Sequence, residues 1–277
     1  MKFVAERGVV RGTYARMAQL GVDAVDEKWC TMIVPVLENV SGVETGTGSD
    51  VLCRMAATHH DRIAAFELVY RKYVDAELIS PNRFNLRVTP YHLLPTTNVF
   101  VACEGSRIIC TVTLIGDAEL GLPMESIYQS ELLELRRRNL YVGEVSCLAF
   151  EPMALNKFLL VFMQLTRLMA QHARAYGMDQ FVIAVHPQHA RFYQRFMGFE
   201  QIGQLKTYPS VRNAPAVACS LDFAAIDVSR PKCWTSYFGS RLPESVIRSR
   251  PMTDEECDYF RPMAGLAGRH APELAFA

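Results

Sequence analysis

The sequence predicts an α/β fold, and three observations support that prediction. Two β-rich runs at residues 98–103 and 107–115 are joined by Glu-Gly-Ser, which is a hairpin signal. Two further apolar runs, at 141–150 and 180–185, enclose an amphipathic segment at 156–176 whose length suits a helix rather than a strand. Strand and helix patterns that alternate in this way are typical of one sheet with helices packed on it.

The composition is that of a folded domain with no overall bias toward polyanionic partners. The chain has 277 residues, of which 50% are hydrophobic and 21% are charged, so it can bury a large core. Lys plus Arg and Asp plus Glu both total 29. The N-terminus has no continuous apolar signal core, and the most apolar helical stretch, at 158–170, is too short to span a bilayer. We therefore expect a cytoplasmic protein with no nucleic-acid partner and no integral membrane segment.

The cysteines give no sign of a metal site. Eight are present, without a Cys-x-x-Cys pair and without a His/Cys cluster at zinc spacing. Several lie in apolar runs, where a reduced cysteine behaves as a small hydrophobic residue. We expect free thiols in a reducing compartment, no metal and no bound cofactor.

The pattern divides the chain into three parts. Residues 1–48 form an N-terminal arm that ends in the glycine-rich SGVETGTGSD, which is typical of a flexible linker. Residues 49–224 form the predicted catalytic domain, and residues 225–277 a C-terminal extension with a loop-like start. Within the extension, Thr253 begins the capping signature of one short helix.

The first elements of the domain have clear local signals. Residues 51–57 have the pattern of a strand, and Thr58 with Asp61 forms a capping-box signature. Apolar residues spaced by three and four then predict a helix at 63–79. After the hairpin, residues 122–138 have a second helical pattern.

The remaining elements are marked by glycines. The long helix at 156–176 is predicted to stop at Gly177, because glycine readily adopts the left-handed conformation that ends helices. A later helix at 187–197 is predicted to stop at Gly198 for the same reason, and β-rich runs at 202–208 and 216–222 close the domain. One polar stripe on the long helix consists of Gln164, Arg167, Gln171 and Arg174.

Three segments carry a resemblance to a known family, in the order HHDRIAAFELVYRKYVD, YVGEVSCLAF and VIAVHPQHARFYQRFMGFEQIG. They resemble the GNAT acyltransferase fold and, more closely, the long-chain N-acyl amino acid synthases of the FeeM type, which are relatives of the acyl-homoserine-lactone synthases. The resemblance covers roughly residues 51–224. It implies a GNAT-like α/β (α+β) fold, with a central mixed sheet flanked by helices in which the strands at 141–150 and 180–185 splay apart.

The resemblance also implies a reaction. A medium or long acyl group would move from acyl carrier protein to the amine of an amino acid, with the carrier's acyl-phosphopantetheine as donor. Backbone amides beside the gap would bind the thioester and polarise its carbonyl. The residues concerned are Val145, Ser146, Cys147, Leu148 and Ala149.

Glu144 is the candidate general base. It lies within the almost wholly apolar run 142–150, where partial desolvation raises the pKa of a carboxyl group. An amine is a cation near neutral pH and has to lose a proton to attack a thioester, so a carboxylate of this kind can accept that proton. The resemblance agrees, since related synthases have a glutamate here. The alternative is a strand glutamate that faces solvent or pairs with an arginine.

Cys147 departs from the family pattern. Many relatives have a basic residue directly after Glu-x-Ser. If that basic side chain holds the acceptor or the carrier in those relatives, another residue has to do so in this protein. Cys147 as a nucleophile is conceivable, but no histidine stands in its local motif, and direct transfer without an acyl-enzyme is favoured.

Two residues near the C-terminal end of the strand at 180–185 are further candidates. His186 could orient the acceptor carboxylate or relay a proton, or else simply bond to the local backbone. Tyr193 matches a position where GNAT enzymes often protonate the leaving thiolate. In the common pattern a glycine follows four residues later, whereas Gly198 follows Tyr193 by five, and one residue rotates a helical side chain by about 100°.

The junction between the strand at 141–150 and the long helix favours a carrier-protein donor over coenzyme A. Residues 151–156 contain no glycine, so the usual cradle of backbone amides for a pyrophosphate is missing. Basic residues in this part of the chain could dock an acidic carrier, or the arginine run could simply be a solvated helix end. The predicted docking residues are Arg136, Arg137, Arg138, Lys157, Arg167 and Arg174, and the predicted acyl-chain pocket consists of Phe158, Phe162 and Met163.

Three other interpretations stay open. An acyl-homoserine-lactone-type synthase would need an S-adenosylmethionine site, which no sequence element demands. An acyl-CoA N-acyltransferase is disfavoured by the glycine-free junction. The third is a catalytically silent GNAT fold that binds acyl carrier protein or lipid, and Glu144 is the only sequence feature that argues against it.

Overall fold

The computed structural model describes residues 51–266, so the predicted N-terminal arm lies outside the described residues. A seven-stranded sheet forms the centre of this part of the chain. In chain order the strands are β1 (Val51–Met55), β2 (Thr97–Glu104), β3 (Arg107–Gly116), β4 (Val142–Phe150), β5 (Gln180–Val185), β6 (Glu200–Tyr208) and β7 (Ala214–Asp222).

The strands lie in the order β1-β2-β3-β4-β5-β7-β6. Neighbouring strands run antiparallel except β4 and β5, which are parallel. A parallel pair needs a long crossover connection, and the long helix between β4 and β5 supplies it. The mixed sheet predicted from the sequence is confirmed.

Helices cover both faces of this sheet. The longer ones are α1 (His59–Asp75), α2 (Glu125–Arg137) and α3 (Leu155–Ala175), and short ones follow at α4 (Pro187–Phe192), α5 (Phe223–Ser229), α6 (Trp234–Phe238), α7 (Glu244–Ile247) and α8 (Asp254–Phe260).

Side-chain alternation along the strands assigns each helix to a face. Val101 of β2 belongs to the cluster under α1, whereas its neighbour Phe100 belongs to the core under α3. Val182 of β5 packs in the cluster under α2, whereas Phe181 packs in the core under α3. Because successive strand residues point to opposite faces, α1 and α2 lie on one face and α3 on the other.

The local signals in the sequence act as expected. Thr58 and Asp61 form both hydrogen bonds of a capping box, which starts α1 earlier than its apolar pattern indicated. Gly177 and Gly198 have φ values of +77° and +81° and end their helices. Helix α2 begins three residues later than expected, because residues 122–124 form a turn in which the Glu125 N–H donates to the Leu122 carbonyl.

The C-terminal extension is described as far as residue 266, and residues 225–266 are more ordered than their loop-like sequence suggested. The polar stripe of α3 holds this part in place. The Gln171 side-chain amide donates to the carbonyls of Tyr237 (2.6 Å) and Ser240 (2.8 Å) and accepts from the Leu242 N–H (2.7 Å). Arg174 forms a two-bond ion pair with Asp227. The stripe therefore binds backbone and side chains of the extension rather than facing water.

Gln171 should contribute measurably to stability, because its removal leaves the Tyr237 carbonyl and the Leu242 N–H without that partner, while the Ser240 carbonyl keeps its bond from Arg167. We expect Gln171→Ala to lower the free energy of unfolding by about 2–4 kcal/mol, since each buried unsatisfied group costs about 1–3 kcal/mol. Urea unfolding followed by circular dichroism measures this. Gln164→Ala is the matched control on the same stripe, because Gln164 has only a 4.0 Å contact with the Cys53 thiol. Equal losses in the two variants would contradict the assignment.

Candidate active site

A cavity of about 900 Å³ passes through the sheet. On one side it is lined by Tyr73 of α1 and by Arg87 and Tyr91 of the loop that follows. On the other side it is lined by Phe158 and Phe162 of α3. A space with walls from helices on both faces requires an opening in the sheet between them.

That opening lies between β4 and β5. The two strands are paired only from Val142 to Glu144, where Glu144 lies opposite Val182. Beyond this point β4 continues along β3, and β5 continues along β7 to Val185, but the two strands no longer pair with each other. The predicted splay is confirmed, and it leaves two strand edges facing a common gap.

A β-bulge in β4 lies directly beside the gap. Ser146 pairs with Thr113 and Ala149 with Thr111, so two residues of β4 stand opposite one residue of β3. Cys147 has φ +54°, which is uncommon for a residue other than glycine. The extra residue shifts the alternation, so that Ala149 and Cys147 pack under α1 while Leu148 packs in the core under α3.

Glu144 lies at the vertex of the gap. Its side chain is 2% exposed and lines the cavity, and its Oε2 accepts a hydrogen bond of 2.8 Å from the Met124 N–H at the start of α2. Burial raises the pKa of this carboxyl group to about 8, and the Met124 hydrogen bond opposes the rise only in part. A carboxyl group with this pKa can gain and lose a proton near neutral pH.

Two tyrosines complete the surroundings of Glu144. Tyr91 and Tyr208 both line the cavity, and burial together with the negative charge of Glu144 raises the pKa of each phenol. Both phenols therefore keep their protons at neutral pH and can donate hydrogen bonds to a ligand.

Cys147 has the environment of a buried thiol. Burial raises its pKa, although the nearby Arg87 guanidinium acts in the opposite direction. A raised pKa keeps the sulfur protonated and weakly nucleophilic, which favours direct transfer over an acyl-enzyme. Arg87, contributed by the loop after α1, brings a positive charge to the place where many relatives have a basic residue in β4.

His186 lies at the end of β5, where it caps α4. Its Nδ1 accepts a bond of 3.3 Å from the Gln188 N–H. The ring also lines the cavity together with His189, whose ring centroid is 5.9 Å away. Burial lowers the pKa of both histidines, so neither is charged at neutral pH. His186 therefore forms a bond to the local backbone, which was the structural alternative to a functional role, and it also lines the cavity.

Tyr193 lies where α4 changes into a π-helical turn, Tyr193–Met197. A π-turn accommodates one more residue than an α-turn, so it absorbs the extra residue between Tyr193 and Gly198. Tyr193 lines the cavity and packs against Phe192 and Phe199. The predicted helix at 187–197 therefore has two parts, and the spacing of the glycine no longer argues against Tyr193.

The α3 end of the cavity is apolar. Phe158, Phe162, Thr166 and Ala170 line it at intervals of four residues, which places them on one side of α3. The extension closes this end with Trp234, Tyr237 and Phe238. Met163, the third residue of the predicted pocket, does not line this cavity, and its sulfur lies 3.6 Å from the Tyr237 hydroxyl.

The six residues of the predicted carrier-docking surface are mostly engaged in contacts within the protein. Five of the six basic residues have an acidic partner in the described part of the chain, and the sixth, Arg167, donates to Ser240. Arg138 and Arg174 pair with acids at the start of and within α5, whereas Lys157 lies at the other end of α3 from Arg174. The pairs are Arg136 with Asp117 and Glu125, Arg137 with Glu134, Arg138 with Asp222, Lys157 with Glu104, and Arg174 with Asp227.

The junction after β4 carries a carboxylate where a coenzyme A enzyme would offer amides. Glu151 is buried and pairs with Arg71 (2.9 Å) and Lys72 (2.8 Å) on α1, with Arg107 at 3.5 Å. These cations outweigh the effect of burial and hold the pKa of Glu151 near 2. The junction is thus used for an internal ion-pair cluster.

Sequence reasoning missed the residues of the loop after α1. Arg87, Tyr91 and His92 line the cavity on the side of Glu144, together with Tyr208 of β6. The available signal was the segment SPNRFNLRVTPYHLLP, in which charged and aromatic residues stand in a proline-bearing loop between two well-defined elements. No periodicity indicates which of them face the cavity.

Residues 51–266 contain neither a membrane-spanning helix nor a metal-binding cluster of side chains. No helix there is long and apolar enough to cross a membrane. No group of three or more His, Cys, Asp and Glu side chains in that range is arranged to hold a metal ion.

An N-acyltransferase of the GNAT type is the class of protein that this fold and site define. A model of the FeeM N-acyl amino acid synthase family matches residues 64–222, more than half of the chain. The chain therefore belongs to the FeeM N-acyl amino acid synthase family, and it is an acyltransferase.

Solved structures agree with this assignment. That of FeeM, an N-acyl amino acid synthase from uncultured soil microbes, is 29% identical, with a TM-score of 0.54 over 63% of this chain and 91% of that chain. That of the AHL synthase LasI is 14% identical, with a TM-score of 0.50 over 70% of this chain and 96% of that chain, and shows a shared fold alone. Among curated proteins nothing matches the chain.

The raised pKa of Glu144 predicts a characteristic dependence of stability on pH. Between the ordinary value of 4.5 and about 8, the folded chain holds a proton that the unfolded chain releases. The free energy of unfolding therefore falls as pH rises through this window, by at most about 1.4 kcal/mol per pH unit. Glu144→Gln has no such proton and keeps an oxygen for the Met124 N–H, so we expect a flatter profile and a higher melting temperature than wild type above pH 8.

Thermal unfolding at several pH values between 5 and 9 measures this difference. Glu134→Gln is the control, because Glu134 is an exposed residue of α2 whose carboxylate pairs only with Arg137. Parallel profiles for wild type and Glu144→Gln would show that Glu144 titrates normally.

Proposed function

We propose that this protein transfers a medium or long acyl group from the thioester of acyl carrier protein to the amine of an amino acid. Glu144 acts as the general base, and no acyl-enzyme forms. The observation that carries the proposal is the cavity through the split sheet, which has a buried carboxyl group at its vertex and an apolar arm on the α3 side.

The chemistry requires one proton acceptor and one oxyanion site. The amine nitrogen attacks the thioester carbonyl carbon, Glu144 takes a proton from the amine directly or through water, and a C–N bond forms. The C–S bond then breaks, and the pantetheine sulfur leaves as a thiolate that takes up a proton. Tyr193 is the proposed donor of that proton, because it lines the cavity and a phenol is a suitable acid for this step.

The thioester would bind along the free edge of β4. From Val145 onward this edge faces the gap without a strand partner, so its backbone groups are available to the amides of the pantetheine arm. The bulge at Cys147 interrupts the regular ladder beside the gap, and an amide released there could donate to the thioester oxygen in the transition state.

The two faces of the sheet would receive the two substrates. Glu144 pairs with Ile115 and Ser146 with Thr113, on the face that carries α1 and α2. The apolar arm lies on the α3 face and suits the acyl chain. The acceptor amine would therefore approach from the α1 side and the acyl chain would extend past Phe158 and Phe162.

The donor assignment rests on the junction after β4. Glu151 places a buried carboxylate there, already paired with Arg71 and Lys72, and a pyrophosphate would have to displace or repel it. Phosphopantetheine on a carrier protein has one phosphate and no adenosine diphosphate, so this donor avoids the conflict. Family membership also favours it.

We further propose that residues 49–224 form the catalytic domain and that the extension from 225 completes the acyl arm. Trp234, Tyr237 and Phe238 of the extension line the cavity. The Tyr237 hydroxyl bonds to Thr166 of α3 and lies against Met163, which fixes this wall.

The first test is mass spectrometry of lipid extracts from cells that express the protein. We expect new N-acyl amino acids with wild type and at least a hundredfold less with Glu144→Gln, because a general base contributes about 10²–10⁴ in rate. With purified enzyme and acyl carrier protein, the rate should rise with pH through about 8, as Glu144 ionises.

Two controls make the result decisive. Glu134→Gln should leave product formation at the wild-type level. Acyl-CoA of the same chain length should be a much poorer donor than acylated carrier protein, and equal rates with both donors would refute the carrier assignment while leaving N-acyl transfer in place. Unchanged product with Glu144→Gln would refute the role of Glu144.

The apolar arm should determine chain length. Ala170→Leu adds volume to the lining, so we expect a shift of the product profile toward shorter acyl chains. Met163→Leu is the matched control, since Met163 lies on the same helix outside the lining and the exchange conserves volume. The same profile in all three proteins would place the chain elsewhere.

A further inference from the structure

Two nitrogen donors of the cavity lining have no hydrogen-bond partner within residues 51–266, and the first belongs to Arg87. The Arg87 Nε is buried and has no acceptor within residues 51–266. One terminal nitrogen reaches the Ser210 carbonyl at 3.5 Å, and the guanidinium also interacts with the Cys147 thiol. The guanidinium lies 5.3 Å from the centre of the Tyr73 ring. The ion pairs of the described residues include no carboxylate within 4.0 Å of Arg87, whereas the buried cations Arg62 and Lys72 are both paired with a glutamate.

The second donor belongs to His92, which is 2% exposed. Its Nδ1 accepts a hydrogen bond of 3.0 Å from the Thr89 N–H, so the proton of the neutral ring lies on Nε2. Burial, with the charge of Arg87, lowers the pKa of His92 to about 3, and the ring is therefore neutral. Nε2 has no partner among the described residues.

Such donors are costly to leave unpaired. A buried N–H without an acceptor costs about 1–3 kcal/mol, and more in a charged group. Proteins tolerate unpaired buried donors at ligand sites, because the bound ligand supplies the missing acceptor. Both side chains line the cavity, and a carboxylate has enough acceptor sites to satisfy both.

The charge at this end of the cavity favours an anion. Lys72 also lines it, but its ammonium group is paired with Glu151 at 2.8 Å. Glu144 holds its proton over much of the neutral range and does not neutralise Arg87. Arg87 lowers and Glu144 raises the pKa of the Cys147 thiol, and all three side chains line the same cavity.

We propose that Arg87 and His92 bind the α-carboxylate of the acceptor and thereby hold its amine at Glu144. This inference rests on the proposed function and deepens it, because it defines the acceptor as an amine with a carboxylate on the adjacent carbon. Arg87 supplies the charge and two or more N–H donors, and His92 supplies one neutral donor. Arg87 and His92 are positioning residues. Esters and amides of the acceptor lose the negative charge that Arg87 binds, and decarboxylated forms lose both contacts.

The test compares a free amino acid with its methyl ester as acceptors of purified enzyme. For wild type we expect the ester to have a KM about tenfold to a hundredfold higher, the range that a charge-assisted hydrogen bond provides. Arg87→Gln should raise the KM of the free amino acid by a similar factor and leave that of the ester unchanged. A merely structural role would weaken both acceptors equally.

Two further variants guard against trivial outcomes. Arg83→Gln is the matched control, since Arg83 lies in the same loop, stacks on Phe84 at 4.6 Å and is absent from the cavity lining. It should behave as wild type. Arg87→Lys keeps the charge without the planar donor pair and should give an intermediate KM, which also serves if Arg87→Gln fails to fold.

A binding measurement separates this inference from the proposed function. Calorimetry with N-dodecanoylglycine and its methyl ester needs no catalysis. Tighter binding of the free acid, lost in Arg87→Gln, supports the carboxylate site even if no transfer to amino acids is found. Equal binding of acid and ester to wild type, or equal KM values for the two acceptors, would overturn it even if N-acyl amino acids are made.

Discussion

The site depends on one interruption in the sheet, the loss of pairing between β4 and β5 after Glu144 and Val182. These two strands are the only parallel neighbours in the described part of the chain, and they share just three residue pairs. Each strand is held on its other side by an antiparallel partner, so both can diverge and still keep their order. The divergence creates the cavity and exposes the β4 edge, and it connects the polar space under α1 with the apolar space under α3.

The same geometry explains why a carboxyl group can be kept ready to accept a proton. Glu144 sits at the vertex, where the strands are still paired and water has little access, and it receives one backbone hydrogen bond from Met124. No cation is paired with it among residues 51–266, in contrast to Glu151, which two cations of α1 hold in its ionised form. Two carboxyl groups seven positions apart in one stretch of chain thus have opposite pKa shifts, because one has burial alone and the other has burial with charge compensation.

Charge in this protein is mostly satisfied internally. Arg136 of α2 and Arg174 of α3 bind Asp117 and Asp227 from outside their own helices, and the polar stripe of α3 binds the backbone of the extension. Arg87 and His92 differ from this background, because each has a donor without an acceptor in the described chain and each lines the cavity. The Arg167 Nε also has no acceptor among the described residues, but Arg167 does not line the cavity. Their position on the α1 side of Glu144 gives the cavity a polar end and an apolar end, which matches a substrate pair made of a small charged amine and a long hydrocarbon chain.

The sequence by itself determined the strand and helix order, the capping box at Thr58, the helix stops at Gly177 and Gly198, and the prominence of Glu144. These features depend on local periodicity, on backbone conformation or on one polar residue in an apolar run, all of which are written in neighbouring residues. Only the tertiary structure decided that Arg136 and Arg174 are neutralised, that Met163 turns out of the lining, and that Arg87 and His92 face the cavity. Those outcomes depend on which distant segments come into contact, and the sequence around a charged or aromatic residue does not indicate its partner.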